Sequence, residues 1–481
     1  MRFSGLMAVA GGAVVAGAAV IGAAQQGGQS AQTTPAPDPG QVLVDRLDLA
    51  RYKATIKGLT KFGDRREGTQ RNRDAVAWIE AQLKSYGCAP ERMTYDAPAP
   101  RGGGAASGAG AAAASQGRGG AGAGTGGAGA GAGAGAATGT AGAARAGGQG
   151  AQGQAGQTGQ AQAGRGQAQG TRGQGTGAGQ ARPTPGPLPA PYRRGEGGST
   201  LYGVYARSGV NNNPEAQPDL KLRELNSGPV LPEPRPQVYC TKYGTTRPNE
   251  MYIIGGHMDG IGWGEAANDD ASGSAIVMEL ARIFSSPDVT TDVTIRFALW
   301  NGEEGGLRGA TAYVAQRQAL QGKEDPTGKV RYPEPTWLGM IQHDMMMFDH
   351  GMPRADGTVN PEQRPEADFN IEFQSNAKMS EGAMKLAFMV KAAADKYSKN
   401  YPGTIGPHMT NTDSGPFMDL VPAISMRENE RGMNTGAGWN PHWHQPTDVF
   451  TTFSDKDFLL GLNSAQATLG AIAQLTGAKI K

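Results

Sequence analysis

Five side chains suited to binding a divalent metal are spread along the second half of the chain. They are His257, Asp269, one member of the pair Glu303-Glu304, Asp344 and His444. A catalytic zinc is bound by imidazole and carboxylate groups and keeps one position open for a water molecule that it acidifies, whereas a structural zinc usually recruits cysteines. The residue types therefore indicate a hydrolytic site with two zinc ions.

The sequence around these residues alternates between short apolar runs and helical patterns, which is typical of an α/β domain. Buried strands are predicted over Met251–Ile254, Val293–Trp300 and Trp337–Ile341, and helical patterns follow the first two strands. We predict a single three-layer domain with a mixed, mostly parallel sheet and helices on both faces.

The candidate ligands fall where these predicted strands end. His257 follows the first strand, Glu303-Glu304 follow the second, and Asp344 ends the third. Sites in open α/β sheets form beyond the carboxyl ends of the strands. We therefore expect three separate segments to deliver their side chains to one edge of the sheet.

Earlier in the chain, a helix is predicted over Asp74–Tyr86 and strands over Arg92–Tyr95 and Gln237–Thr241. The two strands are expected to pair as a hairpin with an enlarged loop. Most of that loop, residues 99–198, is rich in Gly, Ala and Gln and lacks the large apolar side chains that could offset chain entropy. We predict a long, disordered insertion there.

The N-terminus has a basic start, an Ala/Gly/Val-rich stretch and a small-residue exit, which is the layout of a signal peptide. We expect residues 1–24 to be this signal, residues 25–41 to be a linker, and the protein to be exported to the periplasm or the extracellular space. The alternative is a membrane anchor formed by an uncleaved N-terminal segment. After cleavage, no stable membrane span is expected.

The chain contains two cysteines, Cys88 and Cys240, one on each side of the insertion. We expect two free, buried thiols, with a disulfide that clamps the base of the insertion as the alternative. Arg-Gly-Gly occurs at Arg101 and Arg118, but no aromatic residues for base stacking are interleaved with it. We therefore expect no nucleic-acid partner.

Five segments in order resemble the motifs of the zinc aminopeptidase family with two co-catalytic metals. This family includes bacterial leucyl aminopeptidase, glutamate carboxypeptidase, glutaminyl cyclase and the transferrin receptor ectodomain. The segments are Gly255-Gly256-His257-Met258-Asp259, Asn268-Asp269-Asp270-Ala271-Ser272-Gly273, Glu303-Glu304-Gly305-Gly306-Leu307-Arg308-Gly309, Asp344-Met345 and His444-Gln445-Pro446-Thr447-Asp448. The resemblance implies one peptidase domain formed by residues 42–98 and 199–481.

The resemblance also implies a role for each candidate. Asp269 would bridge two zinc ions, His257 and Asp344 would complete one site, and Glu304 and His444 would complete the other. Glu303 would be the general base that activates a water bridging the metals, with Asp259 assisting at the catalytic site. Asp259 and Asp448 would orient the metal-binding histidines.

The implied activity is hydrolysis of peptides or small proteins by an exopeptidase, with aminopeptidase preferred and carboxypeptidase as the alternative. Glutaminyl cyclase activity or a non-catalytic binding role would follow if the ligand set were incomplete. Asp413, Ser414, Arg427 and His442 are the candidate substrate-binding residues. Ser414 stands where many family members have a histidine, and Arg427 is placed to hold a substrate carboxylate. The substrate preference and the oligomeric state stay open.

Overall fold

Long apolar strands at the centre of the fold position the candidate ligands. The computed structural model describes residues 37–96, 210–329, 331–348, 369–407, 412–428, 440 and 442–481. The predicted signal peptide and the predicted insertion at 99–198 lie outside the described residues, as does most of the predicted linker. Pro39–Lys481 form one compact unit.

The described strands form one large sheet and one small sheet. Their bounds are β1 Pro90–Tyr95, β2 Arg235–Lys242, β3 Arg247–His257, β4 Val289–Thr290, β5 Val293–Trp300, β6 Thr336–His343, β7 Phe369–Phe373, β8 Gly403–Gly406, β9 Ala423–Arg427 and β10 Lys479–Ile480. The large sheet has the order β1-β2-β5-β3-β6-β9-β7-β8, and β10 pairs with β4.

The middle of the large sheet is parallel. Strand β3 pairs in parallel with β5 on one side and with β6 on the other, and β6 pairs in parallel with β9. Strands β1, β2 and β7 add antiparallel pairs toward the edges. The predicted mixed, mostly parallel sheet is confirmed, and the carboxyl ends of β3, β5 and β6 meet at one edge.

Helices cover both faces of this sheet, as predicted. Their bounds in the described ranges are α1 Pro39–Val44, α2 Leu49–Thr60, α3 Gln70–Ser85, α4 Leu220–Asn226, α5 Ala271–Phe284, α6 Arg308–Arg317, α7 Ser380–Tyr397 and α8 Asp455–Leu475. Helix α3 begins four residues before the predicted start at Asp74, because the Thr69 side chain accepts a hydrogen bond from the Asn72 amide and caps it.

Side-chain alternation along the strands creates two separate cores. Ile254, Phe297 and Leu299 pack in the larger core, under the helices of one face. Their neighbours Ala298 and Trp300 face the other way and pack with Tyr313 of α6. Because successive residues of a strand point to opposite faces, both faces need a helical cover, and the three-layer arrangement follows.

Strands β1 and β2 pair in antiparallel register across a large sequence gap, with Pro90 opposite Cys240 and Tyr95 opposite Arg235. Cys88 and Cys240 form a disulfide with a Cα–Cα distance of 5.7 Å, so the expectation of free thiols is wrong. The strand pairing brings the two cysteines within bridging distance. The bridge lies at the Pro90 end of the pair, whereas the long connection leaves from the Tyr95 end.

Within the described ranges, none of the helices combines the length and the apolar character needed to cross a membrane.

The disulfide closes a sequence separation of 152 residues, and it should stabilise the fold by restricting the unfolded chain. We predict that a Cys88→Ser/Cys240→Ser variant loses about 2–5 kcal/mol of unfolding free energy in denaturant titrations. Reducing agent should lower the unfolding midpoint of the unmodified protein and leave that of the variant unchanged. Equal unfolding midpoints for the unmodified protein and the variant, both measured without reducing agent, would contradict a stabilising disulfide.

Candidate metal centre

The five sequence-predicted ligands meet at the carboxyl edge of the sheet. His257 is the last residue of β3, the Glu303-Glu304 pair lies in the turn after β5, and Asp344 directly follows β6. Asp269 lies in the loop before α5, and His444 comes from the loop before α8. The structure thus brings together segments that span almost two hundred residues of sequence.

These side chains divide into two groups, each able to hold one metal ion. His257, Glu303 and Asp344 form one group. Asp269, Glu304 and His444 form the other, and within each group the candidate ligand atoms lie within 4.8 Å of one another. Two adjacent groups of imidazole and carboxylate donors match the ligand chemistry of zinc.

Asp269 connects the two groups through its two carboxylate oxygens. Its Oδ1 lies 3.2 Å from Nε2 of His257, and its Oδ2 lies 3.0 Å from Nε2 of His444. His444 Nε2 is also 2.9 Å from Oε2 of Glu304. A carboxylate that points one oxygen at each histidine has the arrangement needed to bridge two cations.

The hydrogen bonding of the site leaves a ligand atom available in each group. Nδ1 of His257 lies 3.0 Å from the backbone oxygen of Asp259, so the proton belongs on Nδ1 and the lone pair on Nε2. Among the described residues, neither Nε2 of His257 nor Oε1 of Glu304 makes a hydrogen bond, although both atoms are buried. Buried polar atoms without partners fit a site that receives a cation.

The acidic surroundings make both histidines unusually basic. Burial opposes protonation of His257, but the charge of Asp270 and contacts with three further aspartates raise its pKa well above the usual value. Burial likewise opposes protonation of His444, while Glu304 and Asp269 raise its pKa to about 9. The same negative field that favours a proton on these rings favours a metal cation there.

The carboxylates respond to burial and to one another. Burial, followed by repulsion from Asp344 and Glu304, raises the pKa of Glu303 well above its usual range, despite attraction to His257. Burial and the charge of Asp269 raise the pKa of Glu304 to about 7, against the opposing effect of His444. Two positive charges at the site would relieve this repulsion.

Asp344 behaves differently because it has a cationic partner. Burial raises its pKa, but the Arg427 guanidinium and His257 outweigh burial and bring the value to about 2. Nη2 of Arg427 donates to Oδ2 of Asp344 at 2.7 Å, and the arginine side chain is only 2% exposed. Arg427 was expected to be available for a substrate carboxylate, and the structure instead engages it with a candidate ligand.

Asp259 and Asp448 contact backbone amides of other segments. Oδ1 of Asp259 accepts from the Glu303 amide at 3.2 Å, and its carboxylate is 3.8 Å from Nδ1 of His257. Asp448 accepts from the amides of Asn268 and Asp269 at 2.8 and 3.1 Å. The sequence suggested that each would orient its own histidine. For His257 the contact comes from the Asp259 backbone carbonyl, and Asp448 holds the Asp269 loop instead.

Asp270 is a central residue to which the sequence gave no task. Its carboxylate accepts from the amides of His257 at 3.0 Å, Gly273 at 2.8 Å and Met345 at 3.1 Å. It thereby joins the end of β3, the start of α5 and the residue after Asp344. Its place beside Asp269 is the only sequence signal, because the accepted amides come from distant segments.

Arg65 is a second residue that sequence reasoning left without a role. It is fully buried, and its guanidinium donates to the backbone oxygens of Met258 at 2.7 Å, Glu265 at 2.7 Å and Ala266 at 2.8 Å. These contacts fix the loop between His257 and Asp269. The motif Lys61-Phe62-Gly63-Asp64-Arg65-Arg66-Glu67-Gly68-Thr69 contained the signal, but nothing in it shows which carbonyls Arg65 meets.

The remaining sequence-predicted residues surround the two groups. Asp413 is fully buried, neither of its carboxylate oxygens has a hydrogen-bond partner within the described ranges, and burial raises its pKa well above the usual range. Ser414 Oγ is 2.7 Å from Oγ of Ser425. His442 is held by Thr447 at 2.9 Å, and the Trp443 ring stacks on His444 with centroids 3.6 Å apart.

The family comparison covers the part of the chain that carries the site. Residues 238–467 match the model described as Peptidase family M28. All five candidate ligands fall inside this range.

The similarity to individual proteins is low and covers only part of each chain. The chain is similar to an aminopeptidase from Pseudomonas aeruginosa, with 31% identity over 27% of this chain and 24% of that protein. It is 25% identical to a probable leucine aminopeptidase 2 from Aspergillus oryzae over 47% of this chain and 42% of that protein. The matches therefore span less than half the length of either relative.

Among solved structures, an aminopeptidase from Aneurinibacillus sp. strain AM-1 aligns with a TM-score of 0.46 and 17% identity, covering 92% of this chain and 97% of that chain. The family match rests on the sequence between β2 and α8, where the two donor groups lie. Over residues 238–467, the chain is similar to peptidase family M28.

Proposed function

We propose that this protein is a zinc-dependent aminopeptidase that removes residues from the amino end of peptides. The observation that carries the proposal is Asp269, whose two oxygens face His257 and His444 at 3.2 and 3.0 Å. The match of residues 238–467 to a peptidase family model and the names of the similar proteins support the same activity.

In this proposal His257 and Asp344 would hold one zinc ion, Glu304 and His444 would hold the other, and Asp269 would contribute to both. When bound, zinc lowers the pKa of water and polarises a carbonyl group. The chain supplies a buried, acidic site that positions the substrate and excludes bulk water.

Glu303 is the proposed general base. Its carboxylate lies with His257 and Asp344 in one donor group, and the adjacent Glu304 belongs to the other. The Glu303 backbone amide donates to Asp259, which fixes the turn that carries both glutamates. Burial raises the pKa of Glu303, which makes its carboxylate a stronger base, able to take a proton from the attacking water and return it to the departing amine. Asp259 is a positioning residue in this scheme, because its carboxylate contacts the turn.

The contacts of Arg427 favour an aminopeptidase over a carboxypeptidase. A carboxypeptidase needs a cation that is free to bind the terminal carboxylate. Arg427 is buried against Asp344, and its Nε lies 3.9 Å from Glu372. Asp413, which is acidic and unpaired among the described residues, is better suited to attract the substrate's amino group. The complete ligand set argues against a cyclase or a non-catalytic binding protein.

We also propose that the protein is exported. The disulfide between Cys88 and Cys240 supports an oxidising compartment, since structural disulfides are rare in the reducing cytosol. The basic and apolar pattern of residues 1–24 supports the same conclusion.

Blocked peptides test the direction of cleavage. Acetylation of the amino end of a short peptide should abolish its hydrolysis, because the acidic pocket would lose its cationic partner. Amidation of the carboxyl end should leave kcat/KM within about twofold, since Arg427 is already paired with Asp344 and does not bind the terminal carboxylate. The reverse pattern would establish carboxypeptidase activity.

Separate substitutions of the two adjacent glutamates distinguish the proposed general base from the proposed metal ligand. Glu303→Gln should keep two zinc ions per chain and lower kcat by about 10²–10⁴-fold. Glu304→Gln should lower the zinc content toward one per chain. Elemental analysis and steady-state kinetics measure both effects. Full activity in Glu303→Gln, or zinc loss in that variant alone, would overturn the assignment.

Removal of the Asp448 carboxylate tests its role as a positioning residue. Asp448→Ala should weaken zinc binding by about 10–100-fold, because the amides of Asn268 and Asp269 lose their acceptor. Asp448→Asn retains one acceptor oxygen and should have a smaller effect. Competition with a chelator measures the affinity, and Asp395→Ala, at an exposed position on α7, is the matched control. Equal affinities in all these proteins would refute the role.

A further inference from the structure

An open groove of about 520 Å³ lies between the end of β1 and helix α6. It is lined on the strand side by Thr94, Tyr95 and Asp96, and on the helix side by Gly306, Arg308, Thr311, Ala312, Ala315 and Gln316. None of these residues belongs to the two metal-binding groups, so the groove is distinct from the candidate metal centre.

One end of the groove adjoins the turn that carries Glu303. The Gly306 amide donates to the backbone oxygen of Glu303 at 2.8 Å, so the groove wall is continuous with this turn. On the strand side, the Tyr95 hydroxyl contacts the backbone oxygen of Asn301 at 2.8 Å, two residues before Glu303. The groove therefore borders the turn that carries Glu303 on both its helix side and its strand side.

The strand wall offers backbone hydrogen-bonding groups. Strand β1 lies at the edge of the large sheet, and in the described part of the chain its strand partner is β2 alone. On the opposite side, the Thr94 carbonyl accepts from the Gln316 side chain at 3.3 Å, at an exposed position. A flexible side-chain amide therefore occupies a place where an extended peptide can pair with the strand.

The helix wall is small and electrically balanced. Ala312, Ala315 and Gly306 leave room for side chains of many kinds. Arg308 is paired with Glu67 at 2.6 Å, so it does not impose a preference for acidic residues. Helix α6 has ten residues and is about 15 Å long, which matches roughly four residues of extended peptide.

We propose that this groove binds the leaving-group side of an extended peptide substrate, about four residues long, through main-chain hydrogen bonds to the edge of β1. The proposal rests on the aminopeptidase function proposed above. It makes the enzyme selective for the length of the substrate more than for side chains beyond the cleaved bond.

A length series tests the groove against the basal reaction. For leucyl-oligoalanine amides with one to six alanines, kcat/KM should rise about tenfold or more up to four alanines and then level off. Ala315→Trp fills the groove from an exposed position and should abolish this rise. The same variant should cleave leucine p-nitroanilide within about twofold of the unmodified enzyme, since that substrate does not reach α6.

Two further variants guard against a folding artefact. Thr311→Trp lies one turn from Ala315 on the same face and should act in the same way. Ala392→Trp, at an exposed position on α7, is the control and should retain the full length dependence. Thermal unfolding should give similar midpoints for all three proteins.

Direct binding separates failure of the groove from failure of the proposed function. Fluorescein-labelled tetra-alanine amide should bind the unmodified protein, and Ala315→Trp should weaken binding at least about fivefold. Hydrolysis of leucine p-nitroanilide without length dependence would overturn the groove and leave the aminopeptidase intact. Peptide binding without any hydrolysis would overturn the proposed function instead. Length dependence that appears only after deletion of residues 102–197 would show that the chain's own segment occupies the groove, which would also refute the proposal.

Discussion

The metal centre depends on carboxylates that accept hydrogen bonds from the backbone of another ligand-bearing segment. Asp259 follows His257 and holds the turn of Glu303-Glu304, while Asp270 follows Asp269 and holds the amides of His257 and Met345. Asp448 in turn holds the loop of Asp269. Each ligand-bearing segment is therefore held in position by a carboxylate from another segment. Burying these charges costs free energy, which two or three hydrogen bonds from backbone amides to each carboxylate offset in part.

This arrangement explains how so many acidic groups can share a small volume. The backbone amides stabilise Asp259, Asp270 and Asp448, but Glu303 and Glu304 face the centre and repel one another. Burial raises the pKa of both, with a further rise from Asp344 and Glu304 for Glu303 and from Asp269 for Glu304. The fold therefore concentrates negative charge at the place where the cations would bind. The backbone segments that carry the ligands are held in place by hydrogen bonds.

The central fold could be predicted from the sequence because β3, β5 and β6 are continuous apolar runs that end in polar residues. The five ligands could be predicted for the same reason. Contacts between distant segments could not. The sequence led us to expect that Asp259 and Asp448 orient His257 and His444, because sequence spacing does not show which backbone amides face a carboxylate. The disulfide was missed because Cys88 and Cys240 are brought together by strand register, which composition does not reveal.

The pairing of β1 with β2 has a consequence for the order of folding. Strand β1 ends at Tyr95, and its partner begins at Arg235, so the N-terminal helices and β1 are synthesised long before the rest of the sheet exists. Helices α2 and α3 pack in a core that also contains Ile276 and Leu280 of α5, which follows even later. Contacts of such high sequence separation form slowly, and the N-terminal part has no complete core of its own. The apolar faces of α2 and α3 therefore stay unburied until α5 and the later strands are synthesised and supply the surface against which these helices pack.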